Sequence, residues 1–168
     1  ASAADTKDFT DKDEIVHTEA VDVMSTLGVL QGKDTGAFDP KATVTRGEMA
    51  KMICVVLNGG KDPSLGNVTK YSYTDTVGHW AAPYIEYCAI RGIVAGKGDG
   101  TFGPNETVTG SQAAKMLLVA AGYQSAIEGF TGANWEVNTN VRANAVGLYD
   151  GLDINPSQGL TRDSAAQI

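Results

Sequence analysis

The chain has 168 residues, 42% of them apolar, enough to bury a core in one domain or a few small units. Its 13 basic and 20 acidic side chains give a net charge of −7 without any basic cluster, which argues against a nucleic-acid binder that tracks phosphates. The longest apolar runs, Met52 to Leu57 and Met116 to Ala121, fall far short of the roughly 20 residues that span a bilayer, so no membrane insertion is expected.

The opening residues, Ala1-Ser2-Ala3-Ala4, are small ones of the kind found around a signal-peptidase cut, and suggest a mature exported protein. The first helix is predicted over Asp13 to Leu27, with Ala20, Met24 and Leu27 on one stripe and Val16 on the same face one turn earlier. Gly28 suits the left-handed position just after a helix. Asp34-Thr35-Gly36 is turn chemistry, and Phe38 reads as an apolar plug holding the loop. Thr45-Arg46-Gly47-Glu48 is a capping-box start for a second helix: the Thr45 hydroxyl takes the third amide and Glu48 returns to the cap amide.

A shift of 64 positions lays Phe9–Leu57 on Tyr73–Ala121 without a gap. Phe9-Thr10-Asp11 falls on Tyr73-Thr74-Asp75, Gly28 on Gly92, Phe38 on Phe102, and Ala50-Lys51-Met52 on Ala114-Lys115-Met116. The first helix of this copy carries Ala81, Ile85, Cys88 and Ala89 on its inner stripe. Its second helix starts at Thr109-Gly110-Ser111-Gln112, again a capping box. A third, decayed copy keeps Phe130-Thr131, Trp135, Gly147, Gly151 and Leu160-Thr161-Arg162, so the Thr161 cap is kept without the reciprocal carboxylate. Its Phe loop is compressed to Asn155-Pro156-Ser157.

These readings divide the chain into repeat 1 at 9–57, a linker at 58–72, repeat 2 at 73–123, and repeat 3 at 130–168, shortened and cut within its last helix. The expected class is all-α, each copy a helix-loop-helix. Cys54 and Cys88 each sit in an apolar helical stretch, so buried free thiols are expected, with a bridge between them as the alternative. Arg46 and Arg162 are informative because an arginine at the first helical position opposes the helix dipole, at a cost of about 0.3 kcal/mol. A locally unfavourable residue that recurs invites a functional explanation.

The pattern resembles the S-layer homology domains of bacterial cell-surface proteins. The shared features are the aromatic-x-Asp start, a Trp, the Gly-x-x-x-Gly segment Gly92 to Gly96, the loop Asp99-Gly100-Thr101-Phe102-Gly103-Pro104, and the helix start Thr45-Arg46-Gly47-Glu48. The resemblance implies three repeats in a pseudo-threefold spindle, with the second helices as a central bundle. It also implies an extracellular module, on the cell wall or in the S-layer, that binds an acidic cell-wall polysaccharide, typically one bearing a pyruvate ketal. Its grooves would lie between repeats, with the helix-start arginine as a main contact. By position that makes Arg46 and Arg162 glycan ligands, with Asp11, Asp75, Trp80 and Trp135 as groove candidates.

Chemistry supports the assignment. Guanidinium grips a carboxylate bidentately, free amides at a helix start would add a second attraction, and tryptophan offers a flat wall to a sugar face. Against this, Trp80 and Trp135 could be mainly core residues, and Asp11 and Asp75 could cap the following turn or helix. Gly110 stands where the second copy should have its arginine, and Val16 where the first should have its Trp. One or two working grooves are therefore expected rather than three.

An enzyme is not expected. His17 and His79 stand without a supporting pattern, and Asp11 with Glu14 reads as a solvated face. No cofactor or metal is expected either; the Asp99-Gly100 loop offers Ala95 and Lys97 where calcium needs oxygen ligands. The alternative function is a structural module of a surface layer, with other copies of the surface protein as partners and weak or no glycan binding.

Overall fold

The computed structural model describes residues 9–26, 33 and 36–168. Its helices, in chain order, are α1 (Thr18–Thr26), α2 (Arg46–Leu57), α3 (Ala82–Ile90), α4 (Gly110–Ala120), α5 (Ser125–Glu128), α6 (Trp135–Ala145) and α7 (Arg162–Gln167). Among the described residues there is no strand, only three isolated bridges, and the class is all-α.

Threonine sets three of the helix starts. The hydroxyls of Thr45, Thr109 and Thr161 each accept the third amide of their helix, from Glu48, Gln112 and Ser164, at 3.1 Å. Glu48 and Gln112 return to the cap amides at 3.0 and 3.1 Å. A cap of this kind contributes about 1 kcal/mol.

The extended residues before these caps bind one another in a ring. Val44 N donates to Leu160 O at 2.9 Å, Leu160 N to Val108 O at 2.8 Å, and Val108 N to Val44 O at 2.8 Å. The first two amides of α2, α4 and α7 close a second ring that runs in the opposite sense. Arg46 and Gly47 donate to Glu106 O and Pro104 O, Gly110 and Ser111 to Gln158 O and Pro156 O, and Arg162 and Asp163 to Ala42 O and Pro40 O. Helix packing is cyclic too: α2 lies on α3, α4 on α6, and α7 on α1. α2 and α4 also touch.

Phe38 and Phe102 are fully buried, stacked on Phe9 and Tyr73 with ring centroids 5.2 and 5.3 Å apart. Burying such a ring stabilises the fold by about 2–3 kcal/mol. Val44, Val108 and Leu160 bury their side chains beside the hydrogen-bonded ring.

The first helix differs from its sequence reading. A 3-10 turn at Lys12–Glu14 is followed by extended Ile15, and the α-helix starts only at Thr18. The Asp163 carboxylate explains the break, because its Oδ1 accepts both Val16 N and His17 N at 3.0 Å. Val16 is consequently 79% exposed rather than on the inner face, which Val21 fills instead. Leu27 and Gly28 lie outside the described residues, whereas Gly92 has the expected left-handed φ of 70°. The short helix α5 has no sequence signal. The 58–72 segment is tied down at Tyr84, whose hydroxyl donates to Asp62 at 2.6 Å, and at Glu86, which accepts Ser72 N and Oγ at 2.7 and 2.8 Å.

Candidate functional site

Arg46 is the first residue of α2, and its side chain runs across the next copy. Nε donates to Phe102 O at 2.9 Å, Nη2 donates to Ala95 O at 3.1 Å, and the guanidinium carbon stands 4.4 Å from the Phe102 ring centroid. Carbonyl dipoles and a ring face therefore hold the cation that the helix dipole disfavours. Burial lowers the Arg46 pKa from its ordinary value, and the Glu106 charge opposes that shift.

Phe102 is itself held by Asp75, whose two oxygens accept Phe102 N at 2.9 Å and Gly103 N at 2.8 Å. Asp11 does the same in the first copy, accepting Phe38 N and Asp39 N at 2.8 Å each. Burial pushes both carboxyls up, yet the paired amides outweigh it and keep them below the usual carboxylate range.

Arg46 opens onto a groove of about 370 Å³, bounded by Ile93 to Lys97, by α4 through Gln112, Lys115 and Met116, and by Phe130 to Gly132 with Trp135. Among the described residues no acidic side chain lines it, in a protein of net charge −7. Lys97 is clasped by Glu106 at 2.7 and 2.8 Å. Lys115 makes no hydrogen bond or ion pair among the described residues; its Nζ lies 5.6 Å from the Trp135 ring centroid. Burial, and then the nearby Arg46 charge, lower its pKa. The groove thus presents two neighbouring cations and an aromatic wall, a charge pattern an anion would relieve.

The helix-start amides do not take part. Arg46 N, Gly47 N and Glu48 N are all spent, on Glu106 O, Pro104 O and the Thr45 hydroxyl, so the anion site expected at the bare helix terminus is closed. Side chains alone are left to meet a ligand there.

Of the six groove residues expected from sequence, the structure brings two together, Arg46 and Trp135. Arg162 lies elsewhere, buried, with Nε donating to Phe38 O at 2.8 Å and its guanidinium carbon 4.8 Å from that ring's centroid. Asp11 and Asp75 face the loop amides instead of the groove; a carboxylate two residues after the aromatic is ideally placed to cap a loop that returns 27 residues later. Trp80 is no core residue, being 56% exposed beside His79 and Tyr84, and Trp135 is half-buried as a groove wall. His17 and His79 both find partners: His17 bonds Asp163 and Gly151 O through its two ring nitrogens, and His79 bonds Asn105 at 2.8 Å. Sequence reasoning misses Lys115, although a lysine repeated within the apolar second helix, as Lys51 and Lys115, is an available signal.

The sequence matches the S-layer homology domain over residues 8–50 and 72–114, together more than half of the chain. The chain belongs to the S-layer homology domain family. This S-layer homology chain is 34% identical over 91 residues to an uncharacterized cell wall amidase of Bacillus anthracis, covering 54% of the chain and 16% of that protein. It is 33% identical over 98 residues to the cellulosome-anchoring protein of Acetivibrio thermocellus, covering 58% and 22%. A cell surface protein of Thermoanaerobacter kivui is 26% identical over 167 residues, covering 98% of the chain and 21% of that protein. The chain therefore spans less than a quarter of each of these relatives. Arg46 and Asp75 fall inside the matched segments of this S-layer homology chain, and Trp135 and Arg162 outside them.

Proposed function

We propose that this S-layer homology module anchors a larger surface protein to the bacterial cell wall by gripping an acidic polysaccharide between Arg46, Lys115 and Trp135. The observation that carries the reading is the pair of cations beside an indole in a groove without acidic lining. Family membership and relatives named as cell-surface and anchoring proteins support a place on the cell surface. A carboxylate, such as that of a pyruvate ketal, would seat between guanidinium and ammonium while the sugar face lies on Trp135. In a net acidic protein such binding is short-range, and salt eases the long-range repulsion.

Residues 130–168 act in this reading as a third repeat. Rotating Arg46, Lys115 and Trp135 by one copy gives Gly110, Gln167 and Val16, which lack every ligand type. Rotating once more gives Arg162, Lys51 and Trp80. Lys51 and Trp80 both neighbour the Tyr84 ring, at 5.9 and 6.5 Å. Two of the three equivalent sets therefore keep an Arg, a Lys and a Trp in sequence. The relative named an amidase shares only 16% of its length with this chain, so that name lends no catalytic role to this reading.

Sedimentation with purified cell walls, before and after removal of the attached polysaccharide, tests the proposal. Polysaccharide-dependent pelleting that falls in Arg46→Ala and Lys115→Ala is the expected result. Equal pelleting with stripped walls would overturn it.

A further inference from the structure

Cys54 of α2 and Cys88 of α3 meet inside the core where these two helices pack, 2% and 0% exposed, with their sulfurs 3.8 Å apart. Both thiols are free, and each has a weak acceptor nearby: Tyr84 O is 3.7 Å from the Cys54 sulfur and Ala50 O is 3.8 Å from that of Cys88. Two sulfurs in van der Waals contact across a helix interface need only a small side-chain rotation to bond. Thiols persist in reducing compartments and close in oxidising ones, and a wall-anchoring module works outside the cell. We propose that Cys54 and Cys88 close into an intramolecular disulfide on the oxidising cell exterior, stapling the second helix of the first repeat to the first helix of the second.

The oxidant is a small-molecule disulfide. The Cys54 thiolate attacks one of its sulfurs and expels one thiolate, leaving a mixed disulfide on Cys54. Cys88 gives its proton to water, attacks the Cys54 sulfur and expels the second thiolate. Two protein thiols are oxidised and one disulfide is reduced to two thiols, so atoms and electrons balance. Because both sulfurs are buried, closure accompanies folding, when the chain is still accessible. The staple would also fix α2, which carries Lys51, against α3, which carries Tyr84. The bridge itself does not depend on any ligand.

The test is refolding from denaturant in a mixture of oxidised and reduced glutathione, followed by alkylation under denaturing conditions, intact mass and peptide mapping. The expected product is a monomer lighter by two hydrogens, with a linked Cys54–Cys88 peptide, unreactive thiols and unchanged helix content. Its thermal midpoint should exceed that of the reduced protein by about 5–10 °C, given a bridge across 34 positions. The double variant Cys54→Ala/Cys88→Ala should show no such redox-dependent shift. Two alkylatable thiols after oxidative refolding, a bridge between molecules in place of the internal one, or a bridged form that melts lower would each overturn the proposal.

Discussion

The guanidinium of Arg46 stands over the ring of Phe102, and that of Arg162 stands over Phe38 in the same way. The third position completes the rule by exception: Gly110 faces Ile154, not a phenylalanine. Arginine and phenylalanine thus occur together or not at all. The ring supplies a π face, and its own carbonyl takes Nε, so a cation that costs a little at a helix start is held in place by the loop below it.

This pairing predicts that charge alone is insufficient at residue 46. Arg46→Lys keeps the charge but cannot bond Phe102 O and Ala95 O together while reaching a ligand. Affinity for the wall polysaccharide should fall at least about tenfold, with stability changed by about 1 kcal/mol or less. Parallel binding isotherms and urea melts check both halves. Phe102→Ala should instead cost about 3–5 kcal/mol of stability, as expected for a buried ring.

Restoring the missing arginine should fail. A Cβ at Gly110 would lie 3.1 Å from Pro156 Cα and 3.3 Å from Ile154 Cδ1, with no aromatic to receive the guanidinium. Gly110→Arg should destabilise the fold by about 1–3 kcal/mol and leave binding stoichiometry unchanged. A gained binding site, measured by titration, would count against the pairing rule.

Alkaline conditions should release the ligand early. Burial and the Arg46 charge hold Lys115 below the ordinary lysine value of 10.5, so its charge is lost before that of an exposed lysine. Binding should weaken as pH rises toward that value, and Lys115→Arg should carry binding to higher pH. Identical pH profiles for the two proteins would remove Lys115 from the site.

The segment leading into α1 is joined to α7 by a proton-dependent latch between His17 and Asp163. Burial opposes the His17 charge, but the Gly151 carbonyl and the Asp163 carboxylate outweigh it and raise the pKa above 6.5. The folded state then holds the proton more tightly than the unfolded chain does. The stabilisation is complete below 6.5 and is lost as pH rises through the higher folded value. Denaturant midpoints should fall across that interval, and His17→Gln should flatten the dependence. The Asp11 and Asp75 clamps behave oppositely: their contribution is present above 3.8 and is lost as pH falls through their lower folded values.

Much of the scaffold is legible in the sequence because its signals are local. The capping boxes at Thr45 and Thr109 involve residues three apart, and the 64-residue shift exposes equivalent positions without any structure. What escapes depends on residues far apart. The break before α1 is made by Asp163, 147 positions from Val16, and no window of local periodicity contains it. The clamping role of the aspartates is hidden for the same reason, since the amides that Asp11 binds lie 27 and 28 positions on. The groove itself gathers three distant segments, with Arg46 from α2, Lys115 from α4 and Trp135 from α6. The family resemblance names two of those three, and only the packing of α4 on α6 brings Lys115 into the same groove.

Calorimetric titration of purified wall polysaccharide into the wild type, Arg46→Ala and Trp135→Ala would put the groove itself to the test. Saturable binding by the wild type, lost in both variants while their helix content is kept, is the predicted result. Undiminished binding by both variants would place the ligand outside this groove and contradict its assignment as the glycan site.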